Sequence, residues 1–138
     1  MKETVLGQEF KALFGMYPIH VMVNKTQGGW PDRLIQLPSS RICFVELKII
    51  HFVSNTFSLT NFRAEQAAFM AKWQRHNGLC FLMVMSDGEP SHYGIVTCKK
   101  WDDWLKVPRT GWRPGETTLF TKDKRDVLSW FEQYSITG

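Results

Sequence analysis

Nine consecutive residues from Ile42 to Ile50 read Ile-Cys-Phe-Val-Glu-Leu-Lys-Ile-Ile. A half-buried strand alternates apolar with polar; a run this continuous in β-branched, aromatic and aliphatic residues predicts a strand covered on both faces. Such a strand needs packed layers above and below it, which points to a sheet with helices. Glu46 and Lys48 interrupt the run. Two positions apart on a strand, they emerge on the same face about 7 Å apart along the chain. Glu-x-Lys occurs by chance in many proteins, and the plain alternative is an ion pair across the face. Inside so apolar a strand, that pair would meet a desolvation penalty for little net gain, so retention for chemistry is the favoured reading.

The rest of the chain supplies the layers. Val5, Leu6, Phe10, Leu13 and Phe14 recur at helical spacing over residues 2 to 15, with Gly15 and Pro18 as a stop. Ile19 to Val23 and Arg33 to Leu37 read as short strands, separated by Gln27-Gly28-Gly29 and followed by a tight turn at Pro38-Ser39-Ser40. Phe62, Phe69, Met70 and Trp73 mark one face of a second helix that ends near Asn77-Gly78. Leu79 to Met85 is another buried strand, Asp87-Gly88-Glu89-Pro90 a turn, and His92 to Thr97 a further strand. Beyond it, a short helix is predicted at Trp101 to Lys106 and a better one at Lys124 to Tyr134. The expected class is therefore α/β, a mixed sheet flanked by helices. With 138 residues and 43% apolar side chains the chain can bury one sizeable core. A single domain over residues 1-138 is expected, with the core at about 2-97 and a C-terminal extension over 98-138.

Several function classes are disfavoured. No stretch approaches the roughly 18 apolar residues of a membrane span, and the Met1-Lys2-Glu3-Thr4 start lacks the apolar run of a signal peptide, so a cytoplasmic location is expected and no membrane partner. Cys43, Cys80 and Cys98 are odd in number, far apart and set in apolar runs, which suggests reduced core residues and no zinc site. His20, His51, His76 and His92 show no metal-ligand pairing, so structural or surface roles are their default. A net charge of +4 and a pI near 9.1 favour a polyanionic partner.

Hydrolysing a phosphodiester requires an attacking water, neutralisation of charge building on the phosphate and help for the departing oxygen. Mg²⁺ takes only one or two protein carboxylates, so Asp32 at a strand start and Glu46 on the neighbouring strand would suffice. A hairpin at Pro38-Ser39-Ser40 places Asp32 opposite the neighbourhood of Glu46 to Lys48. Three polar groups then converge, as this pattern reads, at one sheet edge.

Gly29-Trp30-Pro31-Asp32, thirteen residues between Asp32 and Glu46, and Val45-Glu46-Leu47-Lys48 resemble the G-x-P-D and V-E-x-K signature of PD-(D/E)xK nucleases. Phe62-Arg63-Ala64-Glu65-Gln66, with Trp73 and Asn77-Gly78 before a strand, is similar to the virus-type replication-repair nucleases and small phage Holliday-junction resolvases of that group. The resemblance covers roughly residues 5 to 97. It implies a restriction-endonuclease-like αβββαβ core, a Mg²⁺ (or Mn²⁺) ion held by Asp32 and Glu46 with the Leu47 carbonyl, and Lys48 orienting or activating water.

Gln66 lies on the apolar face of its helix, where a polar residue needs a partner. A core glutamine bonded to backbone is one reading; positioning water or substrate, as the resemblance suggests, is the other. Glu9 borders the buried side of the first helix and is weighed evenly as a third metal acid or a rim glutamate, with Glu3 a weaker competitor. Lys25, Arg33 and Arg63 are candidates for phosphate contact, although charged residues usually only solvate a face. Trp30 suits base stacking or packing equally. The expected function is metal-dependent hydrolysis of DNA, directed at junctions, flaps or ends in replication, recombination or repair, with a homodimer expected of a resolvase. A non-catalytic nucleic-acid-binding or assembly protein that keeps the fold is the rival. Trp101, Trp104, Trp112 and Trp130 anchor the tail or form a surface; the pattern leaves both open.

Overall fold

The computed structural model describes residues 3–22 and 29–138. Lys25, and Val23 as the expected end of the first strand, lie outside the described residues. The elements follow the order α1 (Glu3–Phe14), β1 (Ile19–Val21), β2 (Arg33–Gln36), β3 (Ile42–Ile50), α2 (Ala64–Arg75), β4 (Leu79–Ser86), β5 (Tyr93–Val96), β6 (Leu119–Thr121) and α3 (Lys124–Thr137). Two 3₁₀ helices, Trp101–Lys106 and Pro114–Glu116, lie between β5 and β6.

Six strands form one sheet in sequence order, with β3 and β4 parallel and every other neighbouring pair antiparallel. The parallel pair is joined through α2, the helical crossover such a connection needs. This is the expected mixed sheet, with one strand the sequence pattern did not reveal. β6 pairs Leu119 with Ile95 and Thr121 with Tyr93.

Alternation along β3 divides the core in two. Cys43, Val45 and Leu47 pack with Leu6, Phe10 and Phe14 of α1 and Val127 and Phe131 of α3. Phe44 and Ile50 face the other way, toward Ala67 and Met70 of α2 and toward Trp104. Each fully buried side chain of this size contributes about 1.5–3 kcal/mol, so both helical layers are held chiefly by apolar burial. The trio expected at a sheet edge instead lies against β3, an interior strand, because β4, β5 and β6 continue the sheet beyond it.

The helix ends follow their chemistry. Asn77 takes the left-handed conformation (φ 67°) after α2, and the Gly78 N–H donates to the Trp73 carbonyl at 2.9 Å. Asp123 caps α3, accepting from the Arg125 N–H at 3.0 Å. Of the tail tryptophans, Trp104 and Trp112 are buried anchors. Trp104 donates to the Gln74 side chain at 2.7 Å and Trp112 to the Val107 carbonyl at 3.0 Å. Cys43 and Cys80 are buried and Cys98 half-buried, all as free thiols. Burial raises the Cys98 thiol to about 12 and pushes Cys43 well above its ordinary value. None of them is therefore a ready thiolate.

Candidate active site

The β2–β3 register pairs Arg33 with Val45 and Leu34 with Phe44. One step back, Asp32 falls opposite Glu46, and directly opposed residues of an antiparallel pair share a face. Their side chains cross over. The Asp32 N–H donates to Glu46 Oε1 at 3.0 Å, while the Leu47 N–H donates to Asp32 Oδ2 at 3.2 Å. Each carboxylate is therefore aimed by the backbone of the other strand, at the point where β2 begins and ordinary ladder bonds stop. The Asp32 carbonyl is fixed too, accepting from Met22 N at 2.9 Å and Arg33 Nη1 at 3.1 Å.

Burial sharpens the point. Glu46 is 1% exposed and Lys48 9%, on a face otherwise lined by Phe44 and Ile50. Like charges at close range in a low-dielectric site need a compensating cation. Lys48, two residues beyond Glu46 on the same face, is one cation within reach. Leu47 buries its side chain on the opposite, α1 side. A strand residue directs its N–H and C=O to the same side, so the Leu47 carbonyl points where its N–H meets Asp32.

The loop ahead of Asp32 is anchored on α2. Gly29 has φ 94°, and a Cβ there would come within 2.3 Å of the Glu65 carbonyl oxygen. Only glycine suits both the conformation and the approach. Trp30 then packs on Phe44 and Phe69, with ring centroids 6.1 and 5.1 Å away, so packing is the role the structure gives it. Gln66 is 4% exposed in the first turn of α2, and its Oε1 accepts from the Arg63 N–H at 2.9 Å. The backbone-bonded reading is realised; what Gln66 retains for other partners is its two amide N–H donors.

Other candidates are placed differently. Glu9 lies on α1, and its Oε2 accepts from Lys124 Nζ of α3 at 2.8 Å. The Glu9 hydrogen bond holds the Lys124 ammonium above its ordinary range. Helical periodicity put Glu9 beside the buried face, but α1 packs on the side of β3 opposite Glu46, so Glu9 is not brought to the acid pair. Among the described residues, no group of three or more His, Cys, Asp or Glu side chains is arranged to hold a metal. Arg33 is half-buried, with its guanidinium close to Gly7 of α1. Arg63 is exposed at the start of α2 and lies 3.6 Å from Glu65. Asn61 Nδ2 donates to the Ile49 carbonyl at 3.0 Å, and His51 pairs with Asp87 at 3.2 Å. These contacts tie down the far end of β3, and no sequence pattern announced them.

The family model of recombination protein U (RecU) matches residues 41–122, more than half of the chain. This chain belongs to the RecU family. The matched span of this RecU-family chain includes Glu46, Lys48 and Gln66 and leaves Asp32 upstream. A 1.6 Å structure of Hjc, a Holliday junction resolvase from the archaeal hyperthermophile Archaeoglobus fulgidus, superposes with a TM-score of 0.51. The alignment covers 91% of this chain and 96% of that one at 10% identity, a likeness of fold. No curated protein sequence matches the chain. Family and fold agree with the PD-(D/E)xK nuclease architecture that the G-W-P-D and V-E-L-K segments led one to expect. Among the described residues, no helix is long and apolar enough to cross a membrane.

Proposed function

We propose that this chain is a Mg²⁺- or Mn²⁺-dependent nuclease that hydrolyses phosphodiester bonds of branched DNA, four-way junctions foremost, as a cytoplasmic homodimer. The observation that carries the reading is the reciprocal latch, Asp32 N–H to Glu46 and Leu47 N–H to Asp32, which aims two carboxylates at one place beside a buried lysine. RecU-family membership and the Hjc-like fold support it.

The donor set fits a hard divalent cation: two carboxylates plus the main-chain carbonyl of Leu47, all oxygen ligands, with coordination left for water. Asp32, Glu46 and Leu47 would hold it. When bound, the ion supplies a positive charge that stabilises negative charge developing on the phosphate. Lys48 donates hydrogen bonds from its ammonium to the attacking water or to a phosphate oxygen and neutralises part of the same charge. Gln66, with its oxygen engaged by the helix cap, offers N–H donors that orient water or substrate. Arg63, exposed at the start of α2, and Lys25 are assigned to the phosphate backbone; Arg33 reinforces the Asp32 loop through its bond to the Asp32 carbonyl. A homodimer accounts for paired incisions in the two strands of a junction, since a two-fold assembly presents two identical sites.

The test is incubation with labelled single strands, duplexes, flaps and four-way junctions in Mg²⁺, Mn²⁺ or chelator, beside Lys48→Ala. Junction cleavage by the wild type, abolished by chelator and strongly reduced in the variant, is expected. Equal cleavage by both proteins would sink the mechanism, and cleavage of every substrate at one rate would remove the preference for branches.

A further inference from the structure

A broad concavity lies away from the acid pair. It has a volume of about 790 Å³ and is lined by Arg41, Arg75, Lys99, Lys100, Trp101 and Asp102 among others. It opens where β3 and β4 begin and α2 ends. Arg41 lies five positions before Glu46 along the β3 backbone, roughly 16 Å, and Arg75 nine positions after Gln66 along α2, about 13 Å.

Three features distinguish this groove from a surface that merely carries charge. Its lining has four cationic side chains and a single acidic one, a local excess suited to phosphates. Trp101 is an exposed aromatic, 38% accessible, and the Arg75 guanidinium lies 4.9 Å from its ring centroid. The ridge bearing Lys99 and Lys100 is also held in place. The Cys98 carbonyl accepts from Gln74 Nε2 at 2.7 Å, and the Thr97 N–H donates to Thr118 Oγ1 at 3.0 Å. An exposed aromatic ring among cations is the arrangement by which proteins hold single strands without reading sequence, the base stacking on the ring and the backbone tracking the cations.

We propose that this groove is a second nucleic-acid site, which takes a single-stranded DNA segment with one base stacked on Trp101 and its phosphates on Arg75, Lys99 and Lys100. The ligand class rests on the proposed reading of the protein as a DNA nuclease; binding in the groove requires no catalysis. Unpaired nucleotides at a branch point expose the π-faces that a duplex keeps stacked. The groove lies roughly 16 Å from Glu46 along β3.

The experiment is fluorescence anisotropy with labelled oligo-dT and a blunt duplex, in chelator, over a range of salt. Wild type is compared with Trp101→Ala, Trp101→Phe and the Lys99→Ala/Lys100→Ala double variant. Trp101→Ala should weaken oligo-dT binding by about five-fold or more, with Trp101→Phe close to wild type and the duplex little affected. The double variant should reduce the slope of log affinity against log salt by about 1.4. Circular dichroism and thermal melts should show that the exposed substitutions leave the fold in place. Wild-type oligo-dT affinity in both Trp101→Ala and the double variant, or equal losses on single strand and duplex, would overturn the proposal. Single-strand binding through Trp101 in a protein that cleaves no DNA in Mg²⁺ or Mn²⁺ would leave this site standing and remove the nuclease reading.

Discussion

The two faces of β3 run along one strand and do different things. On one, Cys43, Val45 and Leu47 meet α1 and α3 through apolar contact alone. On the other, Phe44 and Ile50 are interrupted by Glu46 and Lys48, 1% and 9% exposed. Apolar burial stabilises the first face; the second keeps two buried charges that apolar residues of similar size would match or exceed in stability. The contrast separates a face of β3 that is apolar throughout from one that also carries the two polar residues proposed for the site.

Substitutions that exchange those roles should break the comparison most visibly. Lys48→Met is expected to lower junction cleavage by about 10²-fold or more while leaving the melting temperature unchanged or raised. A fall in both would make Lys48 a structural residue. On the opposite face, Leu47→Ala should destabilise by about 2–5 kcal/mol through the cavity it leaves, read as a shift in denaturant midpoint. Below its melting temperature it should keep measurable cleavage, because the Leu47 N–H that holds Asp32 belongs to the backbone.

Gly29→Ala links the two sides of the site. A Cβ would strike the Glu65 carbonyl and the φ of 94° would be strained, so a loss of about 1–3 kcal/mol is expected. A larger proportional loss of cleavage should accompany it, since the Asp32 loop would leave α2. The smallest effect belongs to Glu9→Gln. Its partner Lys124 is a surface residue on the α1–α3 side, so neither cleavage nor the melt should change measurably. Reduced cleavage in Glu9→Gln would return that glutamate to the site.

The same division explains what was legible in the sequence. β3, β4 and the two flanking helices advertise themselves through long apolar patterns, and the Gly-x-Pro-Asp and Glu-x-Lys segments carry their spacing openly. Strand alternation and one tight turn were enough to bring Asp32 to Glu46. What escaped depends on contacts between distant segments. β6 is three residues of intermediate burial, Leu119–Thr121, with no periodicity of its own, and it becomes a strand only because β5 offers an edge. Its presence, with that of β4 and β5, leaves β3 in the interior. Glu9 has an unambiguous helical phase, but periodicity cannot say on which side of the sheet a helix packs. Gln66 was readable as a polar residue on an apolar face, while its bond to the Arg63 N–H depends on where α2 starts. Trp101 and Trp104 look equivalent in sequence; one is exposed at the surface beneath Arg75 and the other is fully buried.

Asp32 and Glu46 are proposed to form one cation site on the α2 face of β3. Calorimetric titration of Mn²⁺ into wild type, Glu46→Gln and Glu9→Gln tests it most directly. Saturable binding is expected in wild type and Glu9→Gln, with that binding lost in Glu46→Gln. Undiminished Mn²⁺ binding by a folded Glu46→Gln protein would contradict it.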